Sequence, residues 1–162
     1  KRLANLTPRL RRSGLSNVHP QRIAGENDTK VKRLRGKADR VLVDAPCTGL
    51  GTLRRNPDLK TRQTEEGLAE LNAKQSAILE AAGSLVKPGG RLVYGTCSLL
   101  EEENETIVDR FLAAHPDFAL VPCGEVLARQ GISIPGCERY LRLLPHVHDT
   151  DGFFAAVLQR AA

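Results

Sequence analysis

At 162 residues, with 41% hydrophobic and 27% charged side chains and few aromatics, the chain has the makeup of one α/β domain with a sizeable core. No run reaches the roughly 18 to 20 apolar residues of a membrane span, and the start KRLANLTPRLRRSG has no apolar signal-peptide core. No membrane partner is therefore expected, and a reducing cytoplasm is the simplest compartment; the net charge of +5 is concentrated in residues 1 to 40, with 12 Lys and Arg against 3 acids.

In chain order, Leu3, Leu6 and Leu10 share one helical face that Gly14 ends. The chain opens inside this helix and contains no methionine, as a fragment of something longer would. NVHPQRI at 17–23 is a strand candidate interrupted by Pro20. RVLVD at 40–44 is a compact apolar run that reads as a buried strand, and a glycine and proline loop follows from Ala45 to about Gln63. Thr64 can cap the next helix, with Glu65 and Glu66 in its first turn and Leu68, Leu71, Ile78, Leu79, Ala82 and Val86 at helical spacing. KPGG stops it. RLVYGT at 91–96 is the next strand and NETIVDRFLAAH at 104–115 the next helix. FALVP and FFAAVLQ form the last two strands, separated by a loop of more than twenty residues. This alternation predicts βαβ units and a mainly parallel sheet with helices on both faces, and the absence of a helix between the last two strands leaves one of them free to run antiparallel. A single domain over residues 1–162 is expected, without repeats or linkers.

The four cysteines stand alone, with no C-x-x-C pair and only four histidines, so neither a zinc knuckle nor a disulfide framework is expected. Isolated thiols are mostly small core residues, and Cys123 and Cys137 are read that way. His146 and His148 lack further ligands, so a metal role is not expected of them. Cys47 and Cys97 differ, because each lies just beyond the carboxyl end of a predicted strand, where open α/β sheets bind ligands. Asp44 ends the first of those strands. If the two strands are neighbours, about 4.8 Å apart, both thiols can reach one small planar substrate, which suggests two-step covalent chemistry.

DAPCTGLGTLRRNPD, then KPGGRLVYGTCSLLEEENE some forty residues later, then DGFFAAVL, closely resembles the Sun/Fmu (RsmB-like) family of RNA cytosine-C5 methyltransferases. The resemblance runs over essentially the whole chain. It implies a Rossmann-like S-adenosylmethionine-dependent methyltransferase fold acting on RNA, with ribosomal RNA as the typical bacterial substrate. It assigns Cys97 as the nucleophile that adds to carbon 6 of cytosine, Cys47 as the residue of the release step, and Asp44 as a group that hydrogen-bonds the cytosine ring and lies near the cofactor. Pro46 would shape the base slot. Asp28, or next Glu26, would touch the adenosine of the cofactor. Arg54, Arg55 and Lys60 sit where the family has basic residues near the substrate; phosphate contact and an ordinary solvated loop both fit them. The carboxylates of EEENE read as caps of the following helix.

The family's glycine-rich cofactor loop, D-x-C-x-A-P-G-G-K, has no counterpart, and KPGG ends a helix where that loop opens one. The expectation is therefore the C-terminal part of a catalytic domain, lacking the first strands of its sheet, inactive alone, binding S-adenosylmethionine weakly or not at all, and prone to self-association through exposed sheet edges. The competing reading is a non-catalytic RNA-binding or assembly module that kept the fold.

Overall fold

The structure, a computed structural model, describes residues 3–162. A 3-10 turn at Leu3–Asn5 leads into α1 (Leu6–Ser13), which ends on Gly14 in the left-handed conformation, φ 68°, as the glycine predicts. None of the α1 residues is buried. The 17–23 stretch forms no strand; Pro20 cannot donate to a ladder. The short α2 (Thr29–Lys32) is capped by Asp28, and β1 (Ala38–Asp44) follows.

The glycine-rich loop after β1 contains a 3-10 turn at Leu50–Thr52 and the short α3 (Leu59–Arg62). The principal helix, α4 (Glu65–Leu85), starts where Thr64 Oγ1 accepts the Gly67 amide at 3.0 Å. It hands directly into β2 (Val86–Thr96), which is longer than the predicted 91–96 because KPGG is drawn into the strand as an irregularity opposite Ala38–Arg40. Then come α5 (Glu105–Ala114), β3 (Phe118–Val121), α6 (Cys123–Ala128), β4 (Leu141–Leu143), α7 (Pro145–His148) and β5 (Phe153–Arg160). Among the described residues, no helix is long and apolar enough to cross a membrane.

The sheet order is β1-β2-β5-β3, and β4 also pairs with β5. β1 and β2 are parallel, joined by α4 as a βαβ unit, whereas β5 is antiparallel to β2, β3 and β4. Four strands thus run one way and β5 is inserted against them, so among the described residues only the β1–β2 pairing is parallel and the other three are antiparallel, where a mainly parallel sheet was expected; the connection from β3 to β5 also holds β4 and the short α6 and α7, where no helix was expected. β3 and β4 share one edge of β5, lining its C-terminal and N-terminal halves in turn.

One core joins helices to sheet: Leu79 and Ala82 of α4 and Ile107, Val108 and Phe111 of α5 pack on Val43, Leu92, Tyr94, Phe154, Ala156 and Leu158. The strand residues in this set alternate, as period-2 geometry requires. Leu42, pointing to the other side of β1, is 75% exposed, and β1 has no partner on its outer edge among the described residues. Cys123 and Cys137 are buried free thiols bonded to backbone, in keeping with their reading as ordinary core side chains.

Candidate active site

The register that pairs Asp44 with Gly95 sets the site. It carries on past the strand ends, where the Ala45 amide donates to the Gly95 carbonyl at 3.0 Å and the Gly51 amide to the Cys97 carbonyl at 2.8 Å. Cys47 and Cys97 therefore turn toward each other, with their sulfurs 3.4 Å apart and both side chains half-buried. Burial pushes the Cys47 thiol up to about 12, and the neighbouring Cys97 sulfur adds to the shift. At neutral pH Cys47 is a thiol that can share a proton with its neighbour.

Asp44 is exposed at the end of β1 and lines a cleft of about 480 Å³ with Ile23, Gly25, Glu26, Val43 and Ile78. Asp28 is not among the lining residues. Its carboxylate accepts the Lys30 amide at 2.9 Å and the Ala24 amide at 2.8 Å, and these bonds, the Ala24 one foremost, hold its pKa below the ordinary value. Of the two acids singled out from GEND, the structure thus brings Glu26 to the cleft and engages Asp28 in a helix cap. Pro46 lies between Asp44 and Cys47, half-buried, with its carbonyl accepting from Gln75 Nε2 at 2.9 Å.

Arg54 pairs with Asp149 at 3.2 Å and Arg55 with Asp151, so the two arginines line a shallow surface pocket with the loop that precedes β5. Lys60, on α3, is exposed and has no side-chain partner among the described residues. His148 is structural: its Nδ1 accepts the Leu144 amide at 2.9 Å and its Nε2 faces the Pro135 carbonyl at 3.2 Å. Among the described residues no cluster of His, Cys, Asp and Glu could hold a metal ion.

The EEENE carboxylates, expected to cap the following helix, make no such cap to α5, and buried polar side chains instead hold the segments that carry the thiols. Gln75, Glu103 and Asn104 are fully buried, together with Thr48, Thr96 and Ser98. Glu103 accepts the Thr48 amide at 2.9 Å, the Thr48 hydroxyl at 2.5 Å and Gln75 Nε2 at 2.9 Å. The EEENE carboxylates therefore divide: Glu101 and Glu102 are exposed, Glu103 faces the cysteine loop, and Glu105 pairs with Arg142. Asn104 makes no side-chain cap to α5. One signal was available in the sequence, since Gln75 interrupts the apolar stripe of α4 between Leu71 and Ile78, where a polar residue must find a buried partner.

The sequence matches the family model described as 16S rRNA methyltransferase RsmB/F over residues 1–159. It is 49% identical over 123 residues to the "Probable ribosomal RNA small subunit methyltransferase B" of Synechocystis sp., covering 76% of this chain and 27% of that protein. It is 43% identical over 118 residues to the "Ribosomal RNA small subunit methyltransferase B" of Yersinia pseudotuberculosis, covering 73% of this chain and 25% of that protein. The chain thus spans about a quarter of the length of these curated relatives. Among solved structures it is similar to NSun6 from Pyrococcus horikoshii, crystallised with SFG, with a TM-score of 0.79 and 33% identity over 99% of this chain and 39% of that one. It is also similar to a methyltransferase homolog protein from the same organism, with a TM-score of 0.75 and 32% identity over 98% of this chain and 50% of that one. With a Rossmann-like methyltransferase sheet, two thiols at adjoining strand ends and a family match over nearly its whole length, the chain belongs to the 16S rRNA methyltransferase RsmB/F family.

Proposed function

We propose that this chain carries the catalytic thiol pair of a protein that methylates carbon 5 of a cytosine in ribosomal RNA. The observation that carries the reading is the 3.4 Å approach of Cys47 and Cys97, with Cys47 held protonated by burial. Carbon 5 of cytosine is too weak a nucleophile to accept a methyl group directly. A Cys97 thiolate adding to carbon 6 makes an S–C6 bond and turns the ring into an enamine whose carbon 5 is nucleophilic. Asp44, at the end of β1, would hold the ring edge near N3 and favour the adduct. After methylation the carbon 5 proton leaves to a base, the C5–C6 double bond re-forms, and the S–C6 bond breaks to return Cys97. Cys47, 3.4 Å away, would serve that release by passing a proton to or from the departing sulfur or the base.

S-adenosylmethionine would supply the methyl group on a sulfonium. The cleft beside β1 suits such a molecule: its apolar walls of Ile23, Val43 and Ile78 can hold a flat nucleoside, and Glu26 and Asp44 offer carboxylates to hydroxyls and to positive charge. The naming of SFG, an analogue of S-adenosylmethionine, in a similar structure supports the same cofactor. Arg54, Arg55 and Lys60 would meet phosphates of the RNA once Asp149 and Asp151 release their partners.

The test is a covalent trap in the full-length protein with S-adenosylmethionine. With 5-fluorocytosine RNA, which has no carbon 5 proton to lose, wild type and Cys47→Ala should form a denaturation-resistant adduct and Cys97→Ala none. With unmodified RNA, Cys47→Ala alone should accumulate it. RNA binding without any adduct in all three proteins would replace this reading with that of a non-catalytic RNA-binding module.

A further inference from the structure

Each thiol is held from both sides. Cys47 lies between Pro46, whose carbonyl accepts from Gln75 Nε2 at 2.9 Å, and Thr48, whose amide and hydroxyl both donate to Glu103. The same Gln75 nitrogen donates to Glu103 Oε1 at 2.9 Å, so both neighbours of Cys47 end on one buried pair. Cys97 lies between Thr96, whose hydroxyl donates to Asn104 Oδ1 at 2.5 Å, and Ser98, whose carbonyl accepts from Asn104 Nδ2 at 3.1 Å. The Thr48 and Ser98 hydroxyls meet at 3.3 Å and join the two halves. Tyr94, itself buried, anchors the segment by donating its hydroxyl to the Glu103 carbonyl at 2.7 Å.

We infer that Glu103 and Asn104 are positioning residues, consecutive in sequence, that together set the spacing of the two thiols: Glu103 fixes the Cys47 loop and Asn104 the Cys97 turn. Glu103 is 0% exposed. A carboxylate so placed must be bonded to persist, and Thr48 and Gln75 provide all three of its donors, two of them from the residue next to Cys47. The loop conformation and the carboxylate therefore require each other, and a misplacement of about 1 Å at a reacting group can cost about a hundredfold in rate. Asn104 supplies one acceptor and one donor in the order its two partners need, which neither Asp nor Leu can reproduce. None of these polar side chains needs to touch the base.

The inference rests on the proposed two-thiol reaction, and its test separates the two. In Glu103→Gln one of the two accepting oxygens becomes an NH₂, which faces either the Thr48 hydroxyl or the two N–H donors and removes the charge from all three bonds, and in Thr48→Val one of the three bonds disappears at nearly constant volume. Both variants of the full-length protein should accumulate adduct on unmodified RNA, as Cys47→Ala does, with kcat lowered about tenfold or more and KM for RNA little changed. Asn104→Leu should instead slow adduct formation on 5-fluorocytosine RNA by about tenfold or more without accumulation on unmodified RNA. Amide hydrogen exchange supplies a readout independent of catalysis, since residues 45–52 should exchange faster in Glu103→Gln and Thr48→Val while β2 and β5 keep wild-type protection. If Glu103→Gln does not fold, Thr48→Val decides. Wild-type turnover and adduct release in these variants would overturn the inference. If even wild type and Cys47→Ala form no adduct, the two-thiol reaction fails, and unchanged exchange over 45–52 would then overturn the positioning role as well.

Discussion

Gly51 and Gly152 meet backbone to backbone beside the thiol pair: the Gly152 amide donates to the Gly51 carbonyl at 2.8 Å, and a Cβ on Gly51 would lie 2.7 Å from the Gly152 carbonyl carbon and 2.8 Å from the Cys97 carbonyl oxygen. The loop after β1 therefore reaches both the Cys97 turn and the entry to β5 through a point where no side chain fits. Gly51→Ala should cost about 1–3 kcal/mol in urea unfolding, because both carbonyls belong to residues that directly adjoin β2 and β5. It should also reduce adduct formation by Cys97, whose carbonyl the Gly51 amide holds. An alanine variant with wild-type stability and trapping would show that this contact yields without consequence.

Under the helix layer, a Cβ on Gly83 would come 2.7 Å from Phe111 Cζ. Gly83→Ala should therefore destabilise the protein by about 1–3 kcal/mol even though alanine is the better helix former. Phe111→Leu should also destabilise, by vacating a core site. The double variant should be more stable than the sum of the two losses predicts, and a double-mutant cycle by denaturant unfolding checks it. Strict additivity would mean that α4 and α5 separate freely.

The Cys47 thiol carries a pH dependence of known sign. Its folded value, raised by burial from the ordinary 9.0 to about 12, means that the folded state binds this proton more tightly than the unfolded chain. The resulting stability is fully present below about pH 8 to 9 and is lost as pH climbs from there toward 12. Urea melts at rising alkaline pH should show wild type losing more stability than Cys47→Ala over that window. Parallel curves would place the Cys47 thiol near its ordinary value.

Arg55 and Arg54 are paired with Asp151 and Asp149 on an exposed loop, where such pairs contribute little stability. Arg55→Ala should therefore leave the unfolding midpoint nearly unchanged. If these arginines meet phosphates, the same variant should weaken RNA binding about equally across sequences and lower the slope of log K against log salt by about 0.7 to 0.9. An unchanged slope would return Arg55 to the role of a surface ion pair.

Much of this arrangement was legible in the sequence because it is local. The cap at Thr64, the spacing of Leu68, Leu71, Leu79 and Ala82, and the stop at Gly14 are set by neighbours within a turn or two, and the elements formed where those signals stood. The apolar runs ending at Asp44 and Thr96 likewise located both thiols at strand ends. The 17–23 stretch misled for the complementary reason, since a strand exists only where another lies beside it to take its hydrogen bonds.

Sequence alone thus determined the two long helices, the strand that precedes each thiol loop and the resemblance of the thiol motifs, all of which follow from residue type and short-range spacing. Only the tertiary structure decided that β5 enters the sheet in reverse between β2 and β3, that Glu26 and not Asp28 lines the cleft, and that one glutamate of an acidic run is a buried acceptor. Glu103 reaches Gln75 across 28 positions and Thr48 across 55. Such pairings form when chain closure brings distant donors to a carboxylate that cannot otherwise leave water, and no local pattern encodes which two of five neighbouring polar residues will be enclosed.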